Sequence, residues 1–134
     1  MTLELAKEPN INWELKMGHV YVAVEIKGTK LGTRTSMFVD TGSTRSIIPY
    51  SLAEEVEAFK TPFRTRVEYG DGNFKELVGA DVIMNIMGRE TPAVVLLNQI
   101  EEPILGVDTL EALGLAVDPA SGKLKPTRSF ITRA

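Results

Sequence analysis

The sequence predicts a mainly β fold with two short helices, and three observations lead to this prediction. Apolar and polar residues alternate along several segments, as they do in half-buried strands. Glycine-rich turns separate these segments. Only two segments carry helix start and stop signals. The chain has 134 residues, enough for one core, so we expect a single domain over residues 1–134.

The predicted strands follow one another along most of the chain. They cover residues 11–17, 20–26, 35–39, 63–69, 74–87 and 93–97. In the second strand, alternation places Val20, Val22, Val24 and Ile26 on one buried face. The segment from Gly70 to Asn73 joins the fourth and fifth strands as a hairpin, because glycine accepts a positive φ.

Capping patterns mark the starts of the two predicted helices. Ser51 with Glu54 three residues later forms a capping-box pattern at the first helix. Asp108 with Glu111 forms the same pattern at the second helix, where Asp108 is the expected N-cap. Gly114 marks the end of that second helix.

Composition excludes several classes of protein. A net charge of −3 argues against nucleic-acid binding, and no apolar run is long enough to span a bilayer. The N-terminus carries acids where a signal peptide carries an apolar stretch, so we expect a cytoplasmic location. The absence of cysteine and the single His19 remove thiol nucleophiles, serine triads and most metal sites. We expect no metal and no cofactor, which leaves carboxylates as the catalytic candidates.

The triplet Asp40-Thr41-Gly42 directly follows a predicted apolar strand. As a turn it would be unremarkable, because Asp and Gly are common turn residues. By chance it occurs in roughly a few per cent of chains of this length. Its context makes the triplet more specific, because a glycine-tipped hairpin follows, then two apolar strands, then Ile104-Leu105-Gly106 before a helix.

From about Val20 to Leu115 the sequence resembles the retropepsin family, the retroviral proteases with their cellular and prokaryotic-type relatives. The resemblance rests on four ordered features: the segment 38–43, the hairpin at 70–73, the paired strands, and the segment 104–106. It implies a closed β-barrel with a flap over a cleft. It also implies an aspartic endopeptidase that works as a homodimer on peptide or protein substrates.

The chemistry of peptide hydrolysis is consistent with this implied dimer. Cleavage by water needs a base to activate the water and an acid to protonate the carbonyl. Two adjacent carboxylates that share one proton supply both, since two like charges so close do not both ionise. Only one Asp-Thr-Gly occurs here, so the second carboxylate has to come from another copy of the chain.

The resemblance also assigns roles to individual residues. Asp40 is the acid or base, the hydroxyl of Thr41 hydrogen-bonds across the dimer axis, and Gly42 lets the backbone approach the substrate. The hydroxyl of Ser43 is expected to bond the outer carboxylate oxygen of Asp40. Two further groups are assigned: the flap tip, Gly70, Asp71, Gly72 and Asn73, and the packing beneath the Asp40 loop, Ile104, Leu105 and Gly106.

The sequence departs from the retroviral members at one point. They carry acidic residues at the positions of Thr44 and Arg45 and an arginine at that of Val107, so their ion pair is missing here. Arg45 and Asp108, each displaced by one position, are a candidate replacement of reversed polarity. Two alternatives remain open: a catalytically silent dimeric module that binds peptides, and a monomeric β-barrel binding protein with an accidental triplet.

Overall fold

The computed structural model describes residues 13–16 and 19–132 of the chain. These residues form ten strands and two helices. The strands are β1 (Trp13–Lys16), β2 (His19–Lys27), β3 (Gly32–Val39), β4 (Ile47–Pro49), β5 (Phe59–Glu68), β6 (Phe74–Ile86), β7 (Arg89–Asn98), β8 (Ile104–Leu105), β9 (Leu115–Val117) and β10 (Leu124–Pro126). The helices are α1 (Tyr50–Glu55) and α2 (Val107–Leu113). The predicted mainly β fold with two short helices is therefore confirmed.

Eight strands form one sheet that closes on itself. Their order is β1-β2-β3-β8-β4-β7-β6-β5, and an additional antiparallel pairing joins β2 to β6. Six of the strands thus form a closed ring, while β9 and β10 pair separately. Two pairings are parallel, β3 with β8 and β4 with β7. The pairing of β3 with β8 places the end of β3, which Asp40 follows, directly beside β8.

The interior of the ring is filled by the residues that the alternation predicted. Val22, Val24 and Ile26 are completely buried, and Val20 is nearly so. The main cluster runs from β2 through β6 and β7 to α2. A second, smaller cluster lies under the β5–β6 hairpin and consists of Ile47, Leu77 and Leu96. This second cluster forms part of the floor of the cleft described below.

Both predicted N-caps, Ser51 and Asp108, lie two residues beyond the observed ones, and for α2 the physical reason is visible. Helix α1 begins at Tyr50, directly after the strand residue Pro49, and shows no side-chain cap. Helix α2 begins at Val107 with Gly106 at the N-cap, so Asp108 lies within the first turn. Carbonyl groups of the Asp40 loop accept the first free N–H groups of α2, so no side chain is needed there. The predicted stop at Gly114 is confirmed, with φ 66°.

Strand bounds also differ from those predicted. Strand β5 begins at Phe59, four residues before the predicted start, because an irregular register between Lys60 and Arg64 takes Pro62 into the strand. Strand β7 begins at Arg89 instead of Ala93, right after the two-residue turn that closes the β6–β7 hairpin. In the part of the chain that the structure describes, no helix is long and apolar enough to cross a membrane.

Candidate active site

Asp40 occupies the first position after β3 and is held there by its neighbours. Its backbone N–H donates to the carbonyl of Leu105 at 3.0 Å, which continues the β3–β8 pairing by one residue. The N–H of Gly42 donates to the Asp40 carboxylate at 2.9 Å, and the N–H of Ser43 donates to the Asp40 carbonyl at 3.1 Å. The loop therefore orients one carboxylate oxygen by its own backbone.

Gly42 contributes to this geometry because it has no side chain. A Cβ there would lie 3.3 Å from Oδ1 of Asp40, tighter than most real contacts of that kind. Within the single chain, the close approach that glycine permits is to the Asp40 carboxylate itself. Thr41 is exposed in the single chain, so its expected hydrogen bond across a dimer axis stays a prediction.

The Ser43 hydroxyl does not bond the Asp40 carboxylate, so that expectation is wrong for this structure. Its hydroxyl donates to the carbonyl of Arg45 at 2.7 Å. Serine readily bonds a backbone carbonyl two residues away in a turn, and here that local acceptor competes successfully with the carboxylate. Ser43 therefore closes the loop after Asp40 without touching the carboxylate.

The loop is fastened to the N-terminus of α2 by main-chain hydrogen bonds. The N–H of Val107 donates to the carbonyl of Ser43 at 2.9 Å, and the N–H of Asp108 donates to that of Thr44 at 3.1 Å. These two donors are among the four that every helix leaves without an intrahelical partner. The helix and the loop thus satisfy each other, which fixes the position of the loop relative to the barrel.

A buried pair of hydroxyl groups strengthens the same junction, and no local sequence pattern predicted this pair. Ser46 and Thr109 are 0% and 2% exposed, and their hydroxyl oxygens lie 2.7 Å apart. The Ser46 hydroxyl also accepts the N–H of Gly106 at 2.9 Å. Asp108 accepts the N–H of Thr109 at 2.7 Å. Residues separated by 63 positions therefore satisfy each other in the interior.

Gly106 is required at this junction for a steric reason. A Cβ at this position would lie 2.4 Å from the carbonyl carbon of Arg45 and 2.5 Å from its oxygen. Real Cβ contacts are not this short, and the obstructing atoms are backbone. The glycine of the segment 104–106 therefore allows α2 to pack directly on the Asp40 loop.

The candidate ion pair of reversed polarity is present. A guanidinium nitrogen of Arg45 lies 3.9 Å from a carboxylate oxygen of Asp108, and the two side chains are 40% and 31% exposed. The same guanidinium lies 5.1 Å from the ring centroid of Phe63, at the base of the β5–β6 hairpin. At this distance and exposure the pair adds little stability. Its main effect is to connect loop, helix and hairpin.

The β5–β6 hairpin has the tip that was predicted for the flap. The N–H of Tyr69 donates to the carbonyl of Asn73 at 2.9 Å, and Gly72 has φ 85°. The Asp71 carboxylate accepts the backbone N–H of Asn73 at 3.0 Å and its side-chain amide at 2.9 Å. These bonds, the backbone one first, hold the pKa of Asp71 below its usual value of 3.8.

A cleft of ≈ 620 Å³ separates the hairpin from the Asp40 loop. Asp40 lies on one side, and Thr65, Val67 and Tyr69 of β5 and the adjoining turn lie on the other. Apolar side chains cover its floor: Ile47, Leu96 and Ile104. Of the three residues predicted to support the loop, only Ile104 also lines the cleft, while Leu105 and Gly106 are buried beneath it.

A second depression, of ≈ 560 Å³, lies beside Phe59 along β6 and β7. Asp81 is the only ionisable residue among the described residues that line it, and these residues offer no acid–base pair. Among residues 13–16 and 19–132, no group of three His, Cys, Asp or Glu side chains is placed to hold a metal. The cleft at Asp40 is therefore the candidate active site.

Comparison with known proteins identifies the family of the chain. Residues 22–112 match the family model described as "gag-polyprotein putative aspartyl protease", which covers more than half of the chain. The chain belongs to this retroviral-type aspartyl protease family. The structure of EIAV protease complexed with the inhibitor HBY-793 is similar, with a TM-score of 0.57 and 22% identity, over 70% of this chain and 86% of that one. No curated protein sequence matches.

Proposed function

We propose that the chain is an aspartic endopeptidase that hydrolyses peptide bonds with Asp40 as its catalytic carboxylate. The observation that carries this proposal is the placement of Asp40 at a cleft of ≈ 620 Å³, beneath a glycine-tipped hairpin. Family membership supports the same chemistry. The Asp-Thr-Gly triplet is intact, and a module that only binds peptide would not need to keep it.

The single chain supplies only half of the required groups. Among the described residues that line the cleft, Asp40 is the only aspartate and Glu68 is the other acid. Glu68 sits beside Phe74 in the hairpin, across the cleft from the Asp40 loop. We propose that a second copy of the chain supplies the second Asp40, as a twofold homodimer allows. The exposed Thr41 next to Asp40 is available for contact with that copy.

In the proposed dimer the two carboxylates divide the acid and base roles. Because they share one proton, the ionised one removes a proton from the attacking water. The protonated one donates to the carbonyl oxygen of the scissile bond as the tetrahedral intermediate forms. The bond from Gly42 to one oxygen of Asp40 keeps the carboxylate in place during this exchange.

The cleft favours an extended peptide with apolar side chains near the scissile bond. Ile47, Leu96 and Ile104 offer apolar contacts on the floor, and Val67 offers one from the hairpin. The hairpin covers the bound peptide and excludes water other than the attacking molecule.

The proposal is tested by incubating the purified protein with a mixture of unstructured peptides and identifying the products by mass spectrometry. The wild type is expected to cleave them and to be inhibited by pepstatin, while Asp40→Asn is expected to be inactive. Binding of the same peptides without cleavage by the wild type would favour the silent binding module instead. Equal cleavage by Asp40→Asn would refute Asp40 as the catalytic residue.

A further inference from the structure

The hairpin that covers the cleft is fastened to the barrel by Asn98, the last residue of β7. Asn98 is only 6% exposed. Its Oδ1 accepts the Lys75 ammonium at 2.8 Å and the N–H of Gln99 at 2.8 Å. Its Nδ2 donates to the hydroxyl oxygen of Tyr69 at 2.9 Å. Both Tyr69 and Lys75 belong to the hairpin, so one barrel side chain holds both of its arms.

The orientation of the Asn98 amide follows from its partners. An ammonium group and a backbone N–H are donors only, so the amide oxygen faces Lys75 and Gln99. The amide nitrogen is then left for Tyr69. Exchanging the two ends of the amide would place its NH2 group against the donors of Lys75 and Gln99. The three bonds therefore require one orientation of the amide.

The two hairpin residues lie on the face of the hairpin that packs on the barrel. Lys75 pairs with Val67 across the hairpin, and Tyr69 follows Val67 by two positions, so the three share one face. Val67 packs on the apolar cluster of Ile47 and Leu96. Polar and apolar contacts thus hold the same face of the hairpin down on the barrel.

We infer that Asn98 is a positioning residue that keeps the hairpin closed through Tyr69 and Lys75 and thereby sets how fast peptide enters and leaves. This inference rests on the proposed function only in taking the molecule that enters the cleft to be a peptide. The irregular register between Lys60 and Arg64 interrupts the β5–β6 pairing at the base of the hairpin. Lifting the hairpin breaks a charge-assisted hydrogen bond and leaves a buried amide short of partners, which opposes opening.

Substitutions separate the network from ordinary packing. Asn98→Leu keeps the branching of the side chain at its γ carbon and removes both links to the hairpin. Asn98→Asp keeps both, because a carboxylate accepts from Lys75 and from the proton of the Tyr69 hydroxyl. Tyr69→Phe and Lys75→Met each remove one link from the hairpin side and leave the barrel side chain unchanged.

A matched control is available on the opposite face of the same hairpin. The guanidinium of Arg66 lies 4.4 Å from the ring centroid of Phe74, and Arg66 pairs with Glu76, so it lies on the opposite face from Val67 and Lys75. Arg66→Met removes a cation from the hairpin as Lys75→Met does, but leaves the network intact.

Distance measurements between spin labels test the inference without requiring activity. The chain has no cysteine, so Glu68→Cys on the hairpin and Glu54→Cys on α1 give unique label sites. Labelled protein is diluted into unlabelled protein, so that distances within one chain dominate. We expect one narrow distribution of label–label distances in the chain that carries only the two labels, and the same distribution when Asn98→Asp or Arg66→Met is added. Asn98→Leu is expected to raise the population of chains with an open hairpin about tenfold or more. Tyr69→Phe and Lys75→Met are expected to raise it less.

The inference is overturned if Asn98→Leu keeps the narrow distribution, or if Asn98→Asp broadens it as much as Asn98→Leu does. A kinetic readout completes the test. Association and dissociation rates of pepstatin are expected to rise together about tenfold in Asn98→Leu, with a smaller change in Kd. The inference is also overturned if Asn98→Leu binds pepstatin tightly with the association and dissociation rates of the wild type. No binding of pepstatin by any variant contradicts the proposed function and leaves the distance result to decide on Asn98.

Discussion

Gly106→Ala tests whether contact between α2 and the Asp40 loop determines both stability and the shape of the site. The added Cβ would lie 2.4 Å, 2.5 Å and 2.8 Å from three backbone atoms of Arg45 and Ser46, so the loop or the helix must move. Overpacking of a tight site costs about 1–3 kcal/mol. Because backbone atoms obstruct the methyl group, we expect the upper end, about 3 kcal/mol.

Two smaller effects adjust this value. Replacing glycine by alanine stabilises by about 0.4–1 kcal/mol through the unfolded chain, which opposes the clash. Displacement of Gly106 also weakens its hydrogen bond to Ser46, worth about 1 kcal/mol. The two nearly cancel, so a net loss of about 3 kcal/mol remains, or a Tm lower by roughly 10 °C for a chain of this size.

Thermal unfolding at a fixed protein concentration measures this loss, since any dimer makes Tm depend on concentration. Gly70→Ala is the control: a Cβ at Gly70 meets nothing within 4 Å, and Gly70 is not among the residues with positive φ. We expect its stability to equal or slightly exceed that of the wild type. Equal Tm values for Gly106→Ala and the wild type would refute the steric argument.

Four further predictions follow from the site. Asp40→Asn is expected to abolish cleavage with an unchanged circular dichroism spectrum, because the change is nearly isosteric. In a double-mutant cycle, Arg45 and Asp108 are expected to couple by about 0.5 kcal/mol, decreasing at high salt; a coupling above ~2 kcal/mol would contradict their partial exposure. Ser43→Ala is expected to lose about 1 kcal/mol of stability while the acidic limb of the kcat/KM profile stays in place, because Ser43 bonds a backbone carbonyl; a displaced limb would refute this. Asp71 is expected to titrate below 3.8 by NMR, so the stability it adds to the hairpin tip is complete above that pH and is lost as pH falls through its lowered pKa.

Features with a local cause could be predicted from the sequence. The alternation of β2 fixes its buried face, since side chains on a strand point to opposite sides in turn. Gly72 and Gly114 adopt the positive φ values that their turn and helix end require. The ion pair of Arg45 with Asp108 was also foreseen, because both residues lie at positions displaced by one from a known pair.

Features that depend on distant partners could not be predicted. Asn98 bonds hairpin residues 23 and 29 positions away, and Ser46 bonds Thr109 across 63 positions. No local pattern marks such pairs. The start of α2 was misplaced for the same reason, because the acceptors for its first N–H groups come from the Asp40 loop instead of a neighbouring side chain. For Ser43 the resemblance favoured the Asp40 carboxylate as acceptor, but the hydroxyl bonds the backbone carbonyl of Arg45.

The shared active site is tested most directly by mixing subunits. Wild-type and Asp40→Asn chains are unfolded together, refolded as a mixture and assayed for peptide cleavage at a concentration that keeps dimers intact. If each dimer needs Asp40 from both copies, mixed dimers are inactive and activity falls as the square of the wild-type fraction. An equal mixture then retains about one quarter of the activity of the same total amount of wild-type chain. Retention of about one half, in proportion to the wild-type fraction, would contradict a site shared between two chains.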